Sequence, residues 1–195
     1  MKRAEFNDQP AAPQAATLSF SPKGDVYCAP VEGKNFPIIR GNHPFELFAE
    51  YPMFFFSDRF YLYGMSKDKN GGSFYTTSYH KVTDTITLYE SKGGESRQVA
   101  KGEPEQFRKD YRLATGVIVT IGLVIENETY LIDLKLQASS RSAWLDFMQE
   151  CRRARKLPDF RMTKTESEDF GFVYNFTLHN LDTPEGIEEL FNSVS

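Results

Sequence analysis

The chain reads as a mainly β protein with two or three helices, folded as an antiparallel barrel or a strongly curved sheet. Three observations lead there. Residues 53 to 63 alternate with the two-residue period of a strand, Met53, Phe55, Ser57, Arg59, Tyr61 and Tyr63 on one face and Phe54, Phe56, Phe60 and Leu62 on the other. Residues 117 to 125 and 129 to 136 are β-branched on both sides of Glu126-Asn127-Glu128, the pattern of a hairpin. The links between these short apolar runs are brief and rich in Gly and Pro, which suits antiparallel neighbours rather than helical crossovers.

Residues 1 to 16, rich in Ala, Pro and Gln, cannot bury enough apolar area to offset their ordering entropy and read as a disordered arm. A single β-rich domain is expected over residues 17 to 180, followed by an acidic C-terminal segment over 181 to 195. Within the domain, Val26-Tyr27-Cys28 and Phe36-Pro37-Ile38-Ile39 are interrupted by Pro22, Gly24, Pro30 and Gly33 and fit edge strands. The aromatic run at 53 to 63 turns at Asn70-Gly71-Gly72, and a further strand at 86 to 89 turns at Lys92-Gly93-Gly94. Residues 103 to 113 predict a short helix, with Pro104 near its start, Arg108, Lys109 and Arg112 late, and Phe107 and Tyr111 four apart. In the second arm of the 117–136 hairpin Tyr130, Ile132, Leu134 and Leu136 face inward, while Asp133 and Lys135 face out.

The clearest helix follows, capped by Ser139 or Ser140, with Ala143, Trp144, Phe147, Met148, Cys151 and Ala154 as its apolar stripe and Leu157-Pro158 closing it. Arg152, Arg153, Arg155 and Lys156 near its end either complement the helix dipole, worth about 0.3–1 kcal/mol, or form a patch for phosphate or an acidic segment. Phe170, Phe172, Tyr174, Phe176 and Leu178 alternate as a late strand that needs a partner. Residues 184 to 191 suit one or two helical turns anchored by Ile187, Leu190 and Phe191.

Chemistry enters through the aromatic strands. Arg59, Tyr61 and Tyr63 share a face, Lys67 and Lys69 sit in the turn, and Tyr75, Tyr79 and Lys81 return on alternate positions. Rings stack bases for about 1–3 kcal/mol each without reading sequence, and the cations neutralise phosphates. These eight residues are the candidate nucleic-acid-binding site. Tyr is also an ordinary half-exposed strand residue, so the same pattern fits a plain sheet face.

Composition narrows the rest. The 195 residues carry 27 acids against 23 Lys and Arg, a net charge of -4. Seven of those acids lie beyond Lys164, where no Lys or Arg follows, so residues 1 to 164 hold 23 cations against 20 acids. His43, His80 and His179 lack metal-ligand spacing, phosphate-loop motifs are absent, and Cys28 and Cys151 make neither a metal cluster nor a disulfide framework. The expectation is a protein without metal, cofactor or catalytic activity. No run approaches the length of a membrane span, and the N-terminus lacks the apolar core of a signal peptide, so a cytoplasmic protein with no membrane contact is expected.

A basic helix, the hairpin from Gly116 through Ile125 to Tyr130 and Leu136, and then Ala138-Ser-Ser-Arg-Ser-Ala-Trp-Leu-Asp-Phe147 succeed one another. That order resembles the small replication-associated single-stranded DNA-binding proteins of phages and mobile elements. The resemblance covers residues 45 to 180 and implies an OB-type barrel with helical insertions. It also implies non-enzymatic coating of single-stranded DNA, with an acidic C-terminus that competes for the groove or recruits replication proteins; homo-oligomerisation stays open. The rival reading is a protein-interaction module, of the kind a phage-encoded inhibitor represents, which binds a host protein through the Tyr-rich face.

Overall fold

The computed structural model describes residues 15–66, 71–169 and 171–194. In chain order it runs β1 (Ala16–Phe20), β2 (Asp25–Ala29), β3 (Gly41–Pro44), α1 (Glu46–Ala49), β4 (Phe54–Met65), β5 (Ser73–Thr76), β6 (Ile86–Lys92) and β7 (Glu95–Gly102). Then come α2 (Pro104–Tyr111), β8 (Ala114–Ile125), β9 (Glu128–Leu136), α3 (Ala138–Ala154), β10 (Phe160–Ser167), β11 (Gly171–Leu178) and α4 (Glu185–Val194). The disordered arm expected at the N-terminus lies, for residues 1 to 14, outside the described residues; Ala15 and Ala16 are buried, and β1 opens on the latter.

Among the described residues nine strands form one open sheet in the order β3-β2-β1-β9-β8-β4-β5-β6-β7, and β10 and β11 pair separately. This overturns the antiparallel barrel or strongly curved sheet. The first and last strands, β3 and β7, are not joined, and β1 pairs parallel with β9, which makes the sheet mixed. The helices number four among the described residues rather than two or three. The edges carry the features that discourage closure. β3 is four residues long, and β7 exposes Glu95, Arg97 and Lys101 and departs from regular register opposite Leu88 and Tyr89. The apolar run at 36 to 39 is not a strand; β2 instead pairs with Gly41–Pro44.

The two faces of the sheet follow from the pairing. β8 sends Val117, Val119, Ile121 and Leu123 into the main core together with Leu134 and Leu136 of β9 and Leu18 of β1. Helix α3 and the β10–β11 hairpin cover that face. Trp144 is fully buried, with the rings of Phe55, Phe147, Phe160 and Phe176 at 5.2–5.8 Å, and its Nε1–H donates to Asp58 Oδ2 at 3.2 Å. Of the expected α3 stripe Trp144, Phe147 and Cys151 are core and Met148 packs against them, whereas Ala143 is half-buried and Ala154 exposed; the helix begins after Gln137 rather than at a serine cap, and the Ser140 hydroxyl instead accepts from the Tyr174 N–H. It ends at Arg155 in the left-handed region, where Lys156 N–H reaches back to Cys151 O, a Schellman-type closure. A second core beneath α2 gathers Leu62, Tyr79, Ile86, Leu88, Phe107 and Leu113.

The opposite face is covered at one end only. There α4 lays fully buried Ile187 against Gly122 of β8, and the Phe191 ring lies 4.8 Å from Phe56. A Cβ on Gly122 would stand 2.8 Å from Ile187 and 3.0 Å from Phe191, so glycine is what lets the helix come this close. The C-terminal segment is thus part of the packed body. Among the described residues no helix is long and apolar enough to cross a membrane.

Candidate functional site

A register shift between Phe55 and Ser57 in β4 decides which side chains reach the open face. It turns Phe55 toward Trp144, away from the face that strict alternation assigns it, and leaves Phe56 against α4. Beyond the shift, Ser57, Arg59, Tyr61 and Tyr63 lie opposite Thr120, Ile118, Gly116 and Ala114 of β8 on the uncovered side. Pairing continues the row outward, Tyr63 beside Tyr75 of β5 and Tyr75 beside Tyr89 of β6. In the other direction Ile118 lies beside Lys135, Lys135 beside Ser19 and Ser19 beside Tyr27.

The rings lie along the sheet. Tyr75 and Tyr89 stack at 5.3 Å with planes 17° apart, and Tyr61 and Tyr63 are 5.7 Å apart. Tyr61 rests on Gly116, where a Cβ would collide with the ring, and its hydroxyl accepts from Gln137 Nε2 at 2.8 Å. Tyr61 and Tyr89 are only 5 % and 7 % exposed, whereas Tyr63 and Tyr75 are half-buried and offer the open ring surface.

Arg59 is engaged within the protein. Its guanidinium donates to Asp133 Oδ2 at 2.5 Å and to Thr120 Oγ1 at 2.6 Å, and the Thr120 hydroxyl donates to Asp133 Oδ1 at 2.6 Å. This closed network consumes the charge that the sequence assigned to phosphate. Lys135, beside it, keeps an exposed residue surface, but desolvation lowers its ammonium pKa, with Asp133 opposing and Arg59 reinforcing the shift.

Tyr79 belongs to neither the row nor the face. β5 ends at Thr76, and Tyr79 bridges to Phe60 on the helix-covered side, 6 % exposed in the second core. Burial raises its pKa, against a hydrogen bond with Thr115. Lys81 is exposed in the following turn, where its N–H and that of His80 donate to Asp84 Oδ2 at 2.9 Å. Lys67 and Lys69 fall outside the described residues. The structure therefore brings Arg59, Tyr61, Tyr63 and Tyr75 to one face and adds Tyr89, Tyr27 and Lys135. Tyr27 and Lys135 each stand between two apolar residues and Tyr89 follows Leu88, a signal that becomes readable only once the pairing is known.

Comparison with protein-family models, curated proteins and solved structures finds no match. Nothing beyond this chain's own residues therefore bears on the site. Among the described residues no three His, Cys, Asp or Glu side chains are grouped to hold a metal ion. Cys28 and Cys151 are buried free thiols whose pKa values burial pushes up, the reverse of what a nucleophile needs.

Two buried phenols set an alkaline limit. Desolvation, against the Gln137 hydrogen bond, pushes the Tyr61 phenol up to about 12, and desolvation with Asp25 and Glu46 nearby does the same to Tyr174. A phenol whose folded pKa exceeds its unfolded value of about 10 contributes stability that is whole below pH 10 and lost as pH climbs toward 12. Each ring should remove on the order of 2 kcal/mol across that window. Absorbance titration at 295 nm of wild type against Tyr61→Phe should show one late-ionising phenol fewer in the variant. A Tyr61 that ionises with the exposed tyrosines contradicts the burial described here.

Proposed function

We propose that this protein is a non-catalytic single-stranded DNA-binding protein of the cytoplasm that lays the strand across the open face of β4, β5 and β6. The observation that carries the reading is the row Tyr63–Tyr75–Tyr89 running across three strands on a face left uncovered by α2, α3 and α4. Such a row crosses the strands as a backbone with stacked bases would, and stacking on tyrosine tolerates any sequence. Charge contributes less, because Arg59 is paired with Asp133, while Lys135 lies two strands away from Tyr63 on the same face. Binding should accordingly be modest and only weakly dependent on salt.

A titration of labelled oligothymidine at two salt concentrations tests this. Tyr63→Ala and Tyr75→Ala should each weaken binding by about 1–3 kcal/mol, whereas Lys135→Ala should mainly flatten the logarithmic salt dependence by about 0.7. Absence of binding at low salt, with the protein folded, sinks the proposal.

The second reading, a protein-interaction module, is favoured by the internal pairing of Arg59 and by the slight exposure of Tyr61 and Tyr89. Tyrosine-rich surfaces of low charge suit protein contacts. The module becomes the better reading if the oligonucleotide fails to bind.

A further inference from the structure

Leu157, in the turn that follows α3, is 75 % exposed, and Leu181 is 50 % exposed. Both lie just past the Phe160–Leu178 pair that ends the β10–β11 ladder, and Lys156 Nζ, donating to Asn180 Oδ1 at 3.4 Å, ties the two segments together. They form an apolar knob beside four exposed cations, Arg152, Arg153, Arg155 and Lys156, and none of the three guanidiniums has an ion pair or hydrogen bond among the described residues. The dipole of α3 accounts for cations in its last turn. It does not account for leucines left in water next to them.

The same chain carries a matching surface elsewhere. Beside α4 lies a depression of about 450 Å³ with Val31, Phe36, Tyr130, Leu190 and Val194 on its walls. Acids lie along one side of it. Glu126 and Glu128 flank the β8–β9 turn next to Tyr130, whose hydroxyl donates to Glu128 Oε2 at 3.0 Å, and Gly186, set against Thr129, brings Glu185 and Glu189 of α4 to the same end. All four acids are exposed and make no ion pair among the described residues. Lys34, on one wall, has a partner of its own.

We propose that copies of this chain associate head to tail, the Leu157–Leu181 knob of one entering the depression beside α4 of the next while its cations face the acids there. Apolar fit and charge complementarity then coincide, and together they fix the orientation of the contact. Within one molecule the two surfaces do not meet, because α3 packs on one face of the sheet and α4 on the other. Each copy brings one knob and one depression, so the contact is heterologous and propagates from copy to copy unless the rotation between them closes a ring. The inference does not depend on nucleic-acid binding.

Sedimentation velocity of the full-length protein over a wide concentration range, at low and high salt, tests this. The average mass should climb with concentration without levelling at a dimer, and climb less at high salt, where the charges are screened. Leu157→Ala, at an exposed position where the melting temperature should not change, should weaken association roughly 10- to 100-fold. Two charge reversals, Arg152→Glu with Arg153→Glu and Glu185→Lys with Glu189→Lys, should each give a monomer alone. Mixed, the two variants should associate again, since each offers the other an opposite charge. A wild type that stays monomeric at every concentration overturns the proposal and leaves the depression to another protein or to the segment before Ala15. A mass that stops at a dimer, association indifferent to Leu157→Ala, or reversed variants that stay apart on mixing overturn it as well.

Discussion

Replacing Trp144 with Ala should lower the unfolding free energy by about 3–5 kcal/mol, the largest single-residue effect expected in this protein. Trp144 joins three parts of the fold at once. Its ring meets Phe55 of β4, Phe160 of β10 and Phe176 of β11, and it shares α3 with Phe147. Truncation leaves a cavity between layers that rigid strands cannot close, and it also leaves Asp58 Oδ2 without the indole donor. Trp144→Phe refills most of the volume without the N–H, so it should cost less than the alanine and report the hydrogen bond and residual cavity together. Denaturant unfolding followed by circular dichroism measures both. A Trp144→Ala protein with an unchanged midpoint would mean that α3 does not bind the sheet to the hairpin.

Ending the chain after Asn180 is expected to destabilise the whole protein rather than release a tail. It removes Ile187, fully buried against Gly122, and the Phe191 ring that covers Phe56. Ile187→Ala alone should cost about 2–5 kcal/mol. Neutralising Glu188 and Glu189, both exposed, should leave the melting temperature nearly unchanged, since isolated surface charges contribute little. This separates packing from charge. If the truncated protein melts like the intact one and its DNA affinity rises at low salt, α4 is a displaceable acidic cover instead of a structural element.

The parts of the fold that were legible in the sequence are those specified by neighbours along the chain. The β8–β9 hairpin shows as β-branched arms around a polar turn, and the α3 stripe from Ala143 to Cys151 shows as helical spacing; both depend on local periodicity. The barrel expectation failed because closure depends on which strands meet, and the parallel pairing of β1 with β9 has no local signature. β7 escaped notice because Glu95-Ser-Arg-Gln is polar on both faces, and β10 because Arg161, Thr163 and Thr165 alternate with little hydrophobic contrast. At the site, counting by twos from Tyr75 to Tyr79 assumes an unbroken strand. β5 stops at Thr76, and the chain re-enters the sheet at Phe60, so Tyr79 arrives on the opposite face. The Arg59–Asp133 contact was equally hidden, because it requires the registers of β4 on β8 and of β8 on β9 together. The open row containing Tyr63 and Tyr75 was visible from alternation.

The pairing of β1 with β9 has a consequence for how the chain is made. Leu18 settles beside Leu134, more than a hundred residues later in the sequence, and β2 and β3 are attached to the sheet only through β1. On a ribosome adding about 5–20 residues per second, the N-terminal three strands must wait several seconds for their template to emerge. During that interval Leu18, Val26 and Cys28, all destined for the core, have no sheet to cover them. Late docking of a non-local parallel strand pays its loop-closure entropy before any contact rewards it. The N-terminal meander should therefore be the last part of the sheet to gain protection from hydrogen exchange during refolding, and the part that a chaperone meets first.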